Sequence, residues 1–307
     1  MHIDILMATY NGAKHIRTQI LSLIAQTYQA WTLFIHDDGS TDETLDIVRE
    51  LAAQDRRIQL LQDGVTGLGV GMNFMHLLKF SQAPFICFCD QDDYWFENKL
   101  QVMLDLIKEK DNNRPQVLYT NAYAWYPEMS HYIGQKVTQR CFLKFEEILL
   151  SNHGMQGCSA IFNGQMRALL LRPYKHITLH DVILLVTGIV SQGVTFVDIP
   201  LLLYRRHDNN VTILRPESFM KQMFQVLIRH NAIPLVERKN YLAIKEFYEF
   251  MRDEMTQQQQ QTIALYLRYP SVTPLRRFFS ILWHRKFTCH GSHCLLLIKL
   301  LIRKYIN

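Results

Sequence analysis

The sequence has no long hydrophobic run, because no apolar stretch reaches the roughly 18 residues that span a bilayer. Its start also lacks the basic, apolar and small-residue order of a secretory signal. With 48% hydrophobic and 20% charged residues, the chain lacks the composition of a disordered protein, and no internal repeat is visible. These absences argue against an integral membrane protein and a disordered one, and they predict a cytoplasmic globular protein.

Cysteine is scarce, with six in 307 residues. Cys87 and Cys89 lie within an apolar run of strand length, so we predict buried, reduced thiols and no disulfide framework. The only spacing of cysteine and histidine that suggests a metal falls within residues 289–294. It has no second ligand pair at a familiar finger spacing, so zinc is not favoured there.

Acidic residues are absent after Glu254, whereas eight lysines and arginines follow it. The net charge of +5 therefore divides into +8 for this tail and −3 for the rest of the chain. Basic residues alternate with apolar ones around Phe279 and Trp283, as in helices that lie on an anionic membrane surface. A helical appendage that covers a catalytic domain has the same pattern, and the sequence favours neither.

The most informative segment is the apolar run 85–89, which is followed at once by Asp90, Asp92 and Asp93. Crowded carboxylates repel one another and raise each other's pKa unless a cation lies between them. Hard oxygen ligands suit Mg²⁺ or Mn²⁺, and such ions usually accompany a phosphorylated substrate. The segment therefore predicts a divalent metal site at the end of a buried strand.

A second acidic segment, residues 37–42 (Asp-Asp-Gly-Ser-Thr-Asp), follows another short apolar run at 31–35. Either segment alone also fits a solvated loop with a helix cap, and Ser40 and Glu43 have capping-box spacing. In an open parallel sheet, however, ligands bind beyond the carboxyl ends of the strands. We therefore expect both acidic segments to meet in one crevice.

Short apolar runs alternate with helical patterns through the first half of the chain, which predicts an α/β fold. Further strands are predicted at 117–120, 194–199 and 201–205, and helices from about residue 217. The glycines at 67–71 lack the spacing of a dinucleotide or P-loop signature. They predict a loop entering a helix at Asn73, and that loop is either an ordinary turn or a diphosphate contact.

Five motifs in order carry a family resemblance: residues 8–12 (Ala-Thr-Tyr-Asn-Gly), 37–42, 90–95 (Asp-Gln-Asp-Asp-Tyr-Trp), 180–181 (His-Asp) and 204–207 (Tyr-Arg-Arg-His). Together they resemble the family-2 glycosyltransferases of GT-A fold, and within them the bacterial rhamnosyltransferase-like branch. The resemblance implies a doubly wound, Rossmann-like mixed sheet flanked by helices over residues 1–215. Residues 216–307 are then a helical, basic C-terminal region.

The resemblance also implies roles for single residues, some of which we extend by position. Nucleotide-sugar contacts are predicted for Thr9, Asp37, Asp38, Asn73, Asp90, Arg205 and Arg206. Metal contacts, to Mg²⁺ or Mn²⁺, are predicted for Asp92, Asp93 and His207. Asp181 matches the catalytic base, although spacing alone, with the residue placed before an apolar run, favours a helix cap.

One base without a nucleophile implies a single displacement, and therefore inversion at the anomeric carbon. The expected donor is a nucleoside-diphosphate sugar. The expected acceptor is a glycan, lipid-linked at the inner face of the cell membrane, in the synthesis of a bacterial surface polysaccharide. Two alternatives stay open: a sugar nucleotidyltransferase, and a catalytically silent glycan-binding protein of the same fold. No nucleic acid partner is expected.

Overall fold

The computed structural model describes residues 1–138, 141, 143–150, 154–206, 235–284, 287 and 306. Its strands are β1 (Ile3–Thr9), β2 (Trp31–Asp37), β3 (Ile58–Leu60), β4 (Phe85–Cys89), β5 (Tyr94–Trp95), β6 (Val117–Tyr126), β7 (Tyr132–Lys136), β8 (Ala160–Asn163) and β9 (Val194–Arg205). Its helices are α1 (Ile16–Ile24), α2 (Thr44–Gln54), α3 (Val70–Leu77), α4 (Lys99–Lys108), α5 (Phe145–Ile148), α6 (Gly164–Leu170), α7 (His180–Ser191), α8 (Arg238–Met251), α9 (Gln257–Arg268) and α10 (Pro274–His284).

The strands form one mixed sheet in the order β3-β2-β1-β4-β8-β6-β9-β5, with β7 paired to β6. The first four strands of this order are parallel, β8 is antiparallel to both of its neighbours, and β6 and β9 are again parallel. All five residues of β4 are buried, as expected of a strand covered on both faces. The α/β expectation is confirmed, and the carboxyl ends of β1, β2 and β4 lie at one edge.

Helices cover the sheet with the apolar faces that the sequence predicts. On α1, Ile16, Ile20 and Leu23 are fully buried, and residues 100, 103, 104 and 107 of α4 are fully buried as well. Cys87 and Cys89 are buried free thiols, as predicted. Because these apolar faces are buried against the sheet, each helix can pack in only one orientation. That orientation positions the loops that carry the acidic segments.

Two local predictions are corrected, and one strand that the sequence did not predict is explained. The capping box of Ser40 and Glu43 is wrong, because α2 begins at Thr44 and Glu43 makes no side-chain cap bond. The Ser40 hydroxyl instead accepts a bond from the Asn11 amide (2.8 Å). Residues 194–205 form one strand where two were predicted, and β8 was not predicted because its four residues are too few to show a period.

The described residues divide into two compact units. The first unit contains residues 1–138, 141, 155–173 and 178–206, with the whole sheet and every described residue that the sequence predicts for the site. The second unit contains α5 and α8 to α10, together with the segment 174–177. In it, the glutamine run opens α9 and is capped by a Thr256–Gln259 capping box. None of the described helices has the length and apolarity needed to cross a membrane.

Candidate active site

The loops after β1 and β2 are joined by side-chain hydrogen bonds. Thr9 and Asp37 are partners in the parallel register, and the Thr9 hydroxyl donates to Asp37 Oδ1 at 2.9 Å. Asp37 Oδ2 accepts the amides of Gly39 (3.1 Å) and Ser40 (2.8 Å), so its carboxylate shapes the turn that follows. Two of the predicted nucleotide contacts therefore lie side by side at the edge of the sheet.

Asp38 fastens the glycine-rich loop to this edge. Its two carboxylate oxygens accept the amides of Leu68 and Gly69, each at 2.7 Å. Gly67 and Gly69 both have positive φ, 74° and 76°, a conformation that glycine adopts without strain. The Asp38 side chain thus has a structural task in addition to the nucleotide contact predicted for it.

Gln91 connects the first loop to the acidic loop after β4, which sequence reasoning missed. Its carboxamide accepts from the Tyr10 amide and donates to the Tyr10 carbonyl, both at 3.0 Å. A Cβ on Gly12 would lie 2.3 Å from Gln91 Oε1, so only glycine leaves room for this contact. The sequence carried no signal for this contact, because Gln91 and Tyr10 lie 81 positions apart and meet only in the folded chain.

The acidic loop brings carboxylates together at the exit of β4. Burial, together with the charges of Asp92 and Asp181, raises the pKa of Asp90 to about 7. Asp93 is 1% exposed, and burial also raises its pKa, with the charges of Asp92 and Asp90 adding to the effect. Asp93 Oδ1 accepts the backbone amide of Arg205 (3.0 Å), which ties the loop to the end of β9.

Asp181 lies in the first turn of α7, directed at the same cluster. Burial raises its pKa to about 6, against hydrogen bonds that lower it, one of them from the Val182 amide to Oδ1 at 2.8 Å. Because its charge in turn raises the pKa of Asp90, the structure brings these two predicted residues near each other. A carboxyl with a pKa near the working pH is well suited to accept a proton in catalysis.

His180 opens α7 directly before Asp181 and is buried against aromatic rings, a packing that the sequence did not reveal. Its ring lies 3.8 Å from the Phe74 ring centroid and 4.9 Å from that of Phe88. Burial lowers its pKa to about 3, so it is neutral. A Cβ on Gly157 would lie 2.1 Å from His180 Nε2, so glycine at this position allows the ring to sit where α7 begins.

The two predicted arginines lie at the end of β9 and beyond it. The Arg205 Nε donates to the Asp92 carbonyl oxygen, and its guanidinium carbon lies 4.0 Å from the Trp125 ring centroid. Burial lowers the pKa of Arg205, although the carboxylates of Asp92 and Asp93 oppose that shift. Arg206 stacks on Tyr204 at 4.7 Å. His207, predicted as a metal ligand, lies outside the described residues.

Lys99 is a further charged residue at the site that sequence reasoning missed. It is fully buried at the start of α4, with its Nζ 3.4 Å from the Trp95 ring centroid. Burial lowers its pKa, and among the opposing contributions is the charge of Asp93. A buried cation behind the acidic loop offsets part of the repulsion among the carboxylates. The sequence carried no signal for this burial, because a lysine at the start of a helix is ordinarily exposed.

Asn73 lies in α3, which begins at Val70, earlier than the predicted entry at residue 73. Its side chain is 1% exposed, and both ends of its carboxamide contact His36. The nucleotide-sugar contact predicted for Asn73 is untested and remains a prediction.

The donor set at the acidic loop fits a hard divalent cation. Ligand atoms of Asp90, Asp93 and Cys158 lie within 4.8 Å of one another. Asp93 Oδ2 is buried and has no nitrogen or oxygen donor among the described residues. Carboxylate oxygens held together in this way are what Mg²⁺ or Mn²⁺ binds, whereas the thiol is buried and protonated, with its pKa raised by burial.

The sheet order and the acidic strand exits define a glycosyltransferase of GT-A fold. Among solved structures, S. aureus TarS 1-349 in complex with UDP matches with a TM-score of 0.56 and 18% identity, over 91% of this chain and 74% of that one. The mannosyltransferase PcManGT from Pyrobaculum calidifontis, in complex with GDP-Man and Mn²⁺, has a TM-score of 0.53 and 12% identity, over 96% and 77%. At these identities the likeness shows the fold.

The chain belongs to glycosyl transferase family 2, whose family model matches residues 4–170. The dTDP-rhamnosyl transferase RfbG of Shigella flexneri is 30% identical over 218 residues, which are 66% of this chain and 72% of RfbG. The Escherichia coli UDP-Glc:alpha-D-GlcNAc-diphosphoundecaprenol beta-1,3-glucosyltransferase WfgD is 35% identical over 105 residues, which are 34% of this chain and 40% of WfgD. The resemblance predicted from the motifs is confirmed, and the two alternative activities gain no support.

Proposed function

We propose that this enzyme transfers a sugar from a nucleoside-diphosphate sugar to a lipid-linked glycan acceptor, with inversion, during synthesis of a bacterial surface polysaccharide such as O-antigen, capsule or lipooligosaccharide. The observation that supports this proposal most is a group of carboxylates beyond the end of β4. Asp90 and Asp93 offer ligand atoms within 4.8 Å of each other, and burial and the charges of Asp92 and Asp181 raise the pKa of Asp90. The names of RfbG, a dTDP-rhamnosyl transferase, and WfgD, which acts on a diphosphoundecaprenol acceptor, support the donor and acceptor classes.

Each part of the donor has a proposed group of residues. Thr9, Asp37 and Asp38 would contact base and ribose, because they share one edge with Asp90. A divalent ion, Mg²⁺ or Mn²⁺, held by Asp92 with Asp93 and His207, would neutralise the departing diphosphate. The residues proposed to add positive charge to the diphosphate are Arg205 and Arg206.

Asp181 is the proposed general base. It would accept the proton of the acceptor hydroxyl as that oxygen attacks the anomeric carbon. Its pKa of about 6 leaves it mostly ionised at neutral pH, yet basic enough to take the proton. A single displacement of this kind inverts the anomeric configuration, so comparison of donor and product anomers by NMR tests the stereochemistry.

A panel of dTDP-, UDP- and GDP-sugars tests the function as a whole. We expect one donor class to release nucleoside diphosphate in the presence of acceptor glycan and Mg²⁺ or Mn²⁺, and EDTA to stop the reaction. Pyrophosphate release from a sugar phosphate and a nucleoside triphosphate would instead identify a nucleotidyltransferase. Absence of ion-dependent binding of any sugar nucleotide by the folded protein would overturn the proposal.

We propose further that the C-terminal region contacts the anionic inner face of the cell membrane. On α10 the large apolar residues point outward: Leu275 is 66% exposed, Phe279 61%, Leu282 42% and Trp283 86%. Arg277 of the same helix is buried and donates to the Tyr269 and Val272 carbonyls. An apolar stripe on the solvent side, in a tail of charge +8, suits a surface of anionic lipid.

The double variant Phe279→Ser/Trp283→Ser tests this contact. We expect it to bind vesicles containing anionic lipid about tenfold more weakly than the unmodified chain, because two large apolar groups no longer enter the interface. Sedimentation with vesicles at low and high salt measures the loss. Leu21→Ser/Phe80→Ser, which alters two exposed apolar residues of the first unit, is the matched control. Equal binding by both double variants would remove α10 from the contact.

A further inference from the structure

Three side chains from separate segments form a second cluster of metal-ligating groups, apart from the acidic loop. His36 lies on β2, Asp63 in the loop between β3 and α3, and His76 on α3. Their ligand atoms all lie within 4.8 Å of one another. His36 Nε2 is 3.3 Å from Asp63 Oδ1, and His76 Nε2 is 2.5 Å from Asp63 Oδ2. Nothing in the proposed transfer reaction uses this cluster.

Asn73 fixes which nitrogen of His36 carries a proton. The Asn73 Nδ2 donates to the His36 carbonyl oxygen at 3.2 Å, and a carbonyl can only accept. The amide oxygen Oδ1 must therefore face His36 Nδ1, at 2.7 Å, and Nδ1 must be the donor. A neutral His36 then presents the lone pair of Nε2 to the Asp63 carboxylate.

Two acceptors facing each other at 3.3 Å repel unless a positive charge lies between them. That charge is either a proton, which makes His36 an imidazolium, or a metal ion bound by both groups. Metal-binding histidines usually donate their second ring nitrogen to an acceptor that fixes the tautomer, and Asn73 provides that acceptor here. The second histidine completes a set of two imidazoles and one carboxylate.

We infer that His36, Asp63 and His76 bind a divalent transition-metal ion of the zinc class. Imidazole nitrogens favour Zn²⁺ over Mg²⁺, and the 3.3 Å separation matches neighbouring ligands about 2.0–2.1 Å from a tetrahedral ion. The side chain of His36 is 2% exposed, that of His76 13% and that of Asp63 26%. Solvent therefore reaches the cluster beside Asp63, where a water molecule would complete the coordination. On metal binding, the 2.5 Å contact between Asp63 Oδ2 and His76 Nε2 would lengthen.

Such an ion would fix the loop that the nucleotide edge depends on. Residues 63–69 connect the cluster to the Leu68 and Gly69 amides that Asp38 holds. A metal bridging β2, this loop and α3 removes conformational freedom from the segment. The role of this ion is structural, and it is a different ion from the Mg²⁺ or Mn²⁺ proposed to bind the diphosphate. The inference therefore does not depend on the proposed function.

Isothermal titration of the full chain with Zn²⁺, in saturating Mg²⁺ to fill the acidic loop, tests the site. We expect one Zn²⁺ site that weakens about 100-fold or more in His76→Asn and in Asp63→Asn. His131→Asn is the matched control, because His131 is exposed, lies outside the cluster and has a positive φ that asparagine tolerates. Wild-type affinity in both cluster variants would overturn the inference.

A second measurement on the unmodified chain avoids any variant that fails to fold. Thermal unfolding with and without Zn²⁺ reports whether the ion binds the folded state. We expect Zn²⁺ to raise the Tm of the unmodified chain and not that of His76→Asn. An unchanged Tm of the unmodified chain in saturating Zn²⁺ would contradict the assignment.

Discussion

Replacement of Asp181 by asparagine is expected to lower kcat for sugar transfer by about a thousandfold. Asparagine keeps the size of the side chain and an oxygen for the Val182 amide, but it cannot accept the proton of the acceptor hydroxyl. Donor binding should change little, because the role proposed for Asp181 is on the acceptor side. Release of nucleoside diphosphate measures the rate, and calorimetry with the donor measures the binding.

The same substitution should not destabilise the fold. Burial raises the pKa of Asp181 from its ordinary 3.8 to about 6, so the folded state holds a proton that the unfolded state has lost between those values. Stability attributable to this group therefore falls as pH rises from about 4 to about 6. At neutral pH the ionised carboxylate is a cost that asparagine removes, and Tm should stay equal or rise. Asp46→Asn, in the first turn of α2, is the exposed control.

The pH dependence follows from the same group. Activity should rise as pH increases through about 6, because the base must be ionised to accept a proton. The residual activity of Asp181→Asn should lack this limb. A limb that persists would assign the titration to another carboxyl, with Asp90, whose pKa is raised to about 7, as the first candidate. Wild-type turnover in Asp181→Asn would remove it as the base.

The sequence predicted those features that local pattern determines. Residues 85–89 form β4 with the predicted bounds. Five consecutive apolar residues followed directly by carboxylates are typical of a parallel strand that is covered on both faces. The carboxyl ends of β2 and β4, which carry the two acidic segments, lie at one edge as expected, because both strands run parallel to β1 between them. The apolar faces of α1 and α4 were also predictable, because apolar residues that recur with the helical period show which face of a helix is buried.

Features that depend on contacts between distant segments were out of reach. Neither the clash that excludes a Cβ at Gly157 nor the burial of His180 has a local signature, because the residues lie 23 positions apart and meet only in the folded chain. Ser40 has the spacing of a helix cap, yet its hydroxyl accepts a hydrogen bond from the backbone amide of Asn11, which is distant in sequence. Lys99 is similar: a lysine in a helix is ordinarily exposed, and only tertiary packing places it under the acidic loop.

Replacement of Asp92 by asparagine is the second large effect, and we expect transfer to fall by about 100- to 1,000-fold. The amide removes the negative charge proposed to hold the divalent ion near the diphosphate. Unlike Asp181→Asn, this variant should also lose the dependence of donor binding on Mg²⁺ or Mn²⁺. Calorimetry with the donor, with the ion present and after EDTA treatment, measures that dependence. Asp105→Asn, on the exposed face of α4, is the matched control.

Comparison of Asp92→Asn with Asp181→Asn separates two possible roles of the Asp92 carboxylate. Its charge can bind an ion, and it can also raise the pKa of neighbouring carboxyls. Without that charge, the pKa of Asp90 and that of Asp93 should both fall, since Asp92 raises each of them. A purely electrostatic role would therefore shift the pH profile while ion-dependent donor binding survived. Loss of ion-dependent binding with an intact fold would identify Asp92 as a ligand. Wild-type turnover together with wild-type ion dependence would transfer that task to Asp90 and Asp93, whose ligand atoms already lie within 4.8 Å of each other.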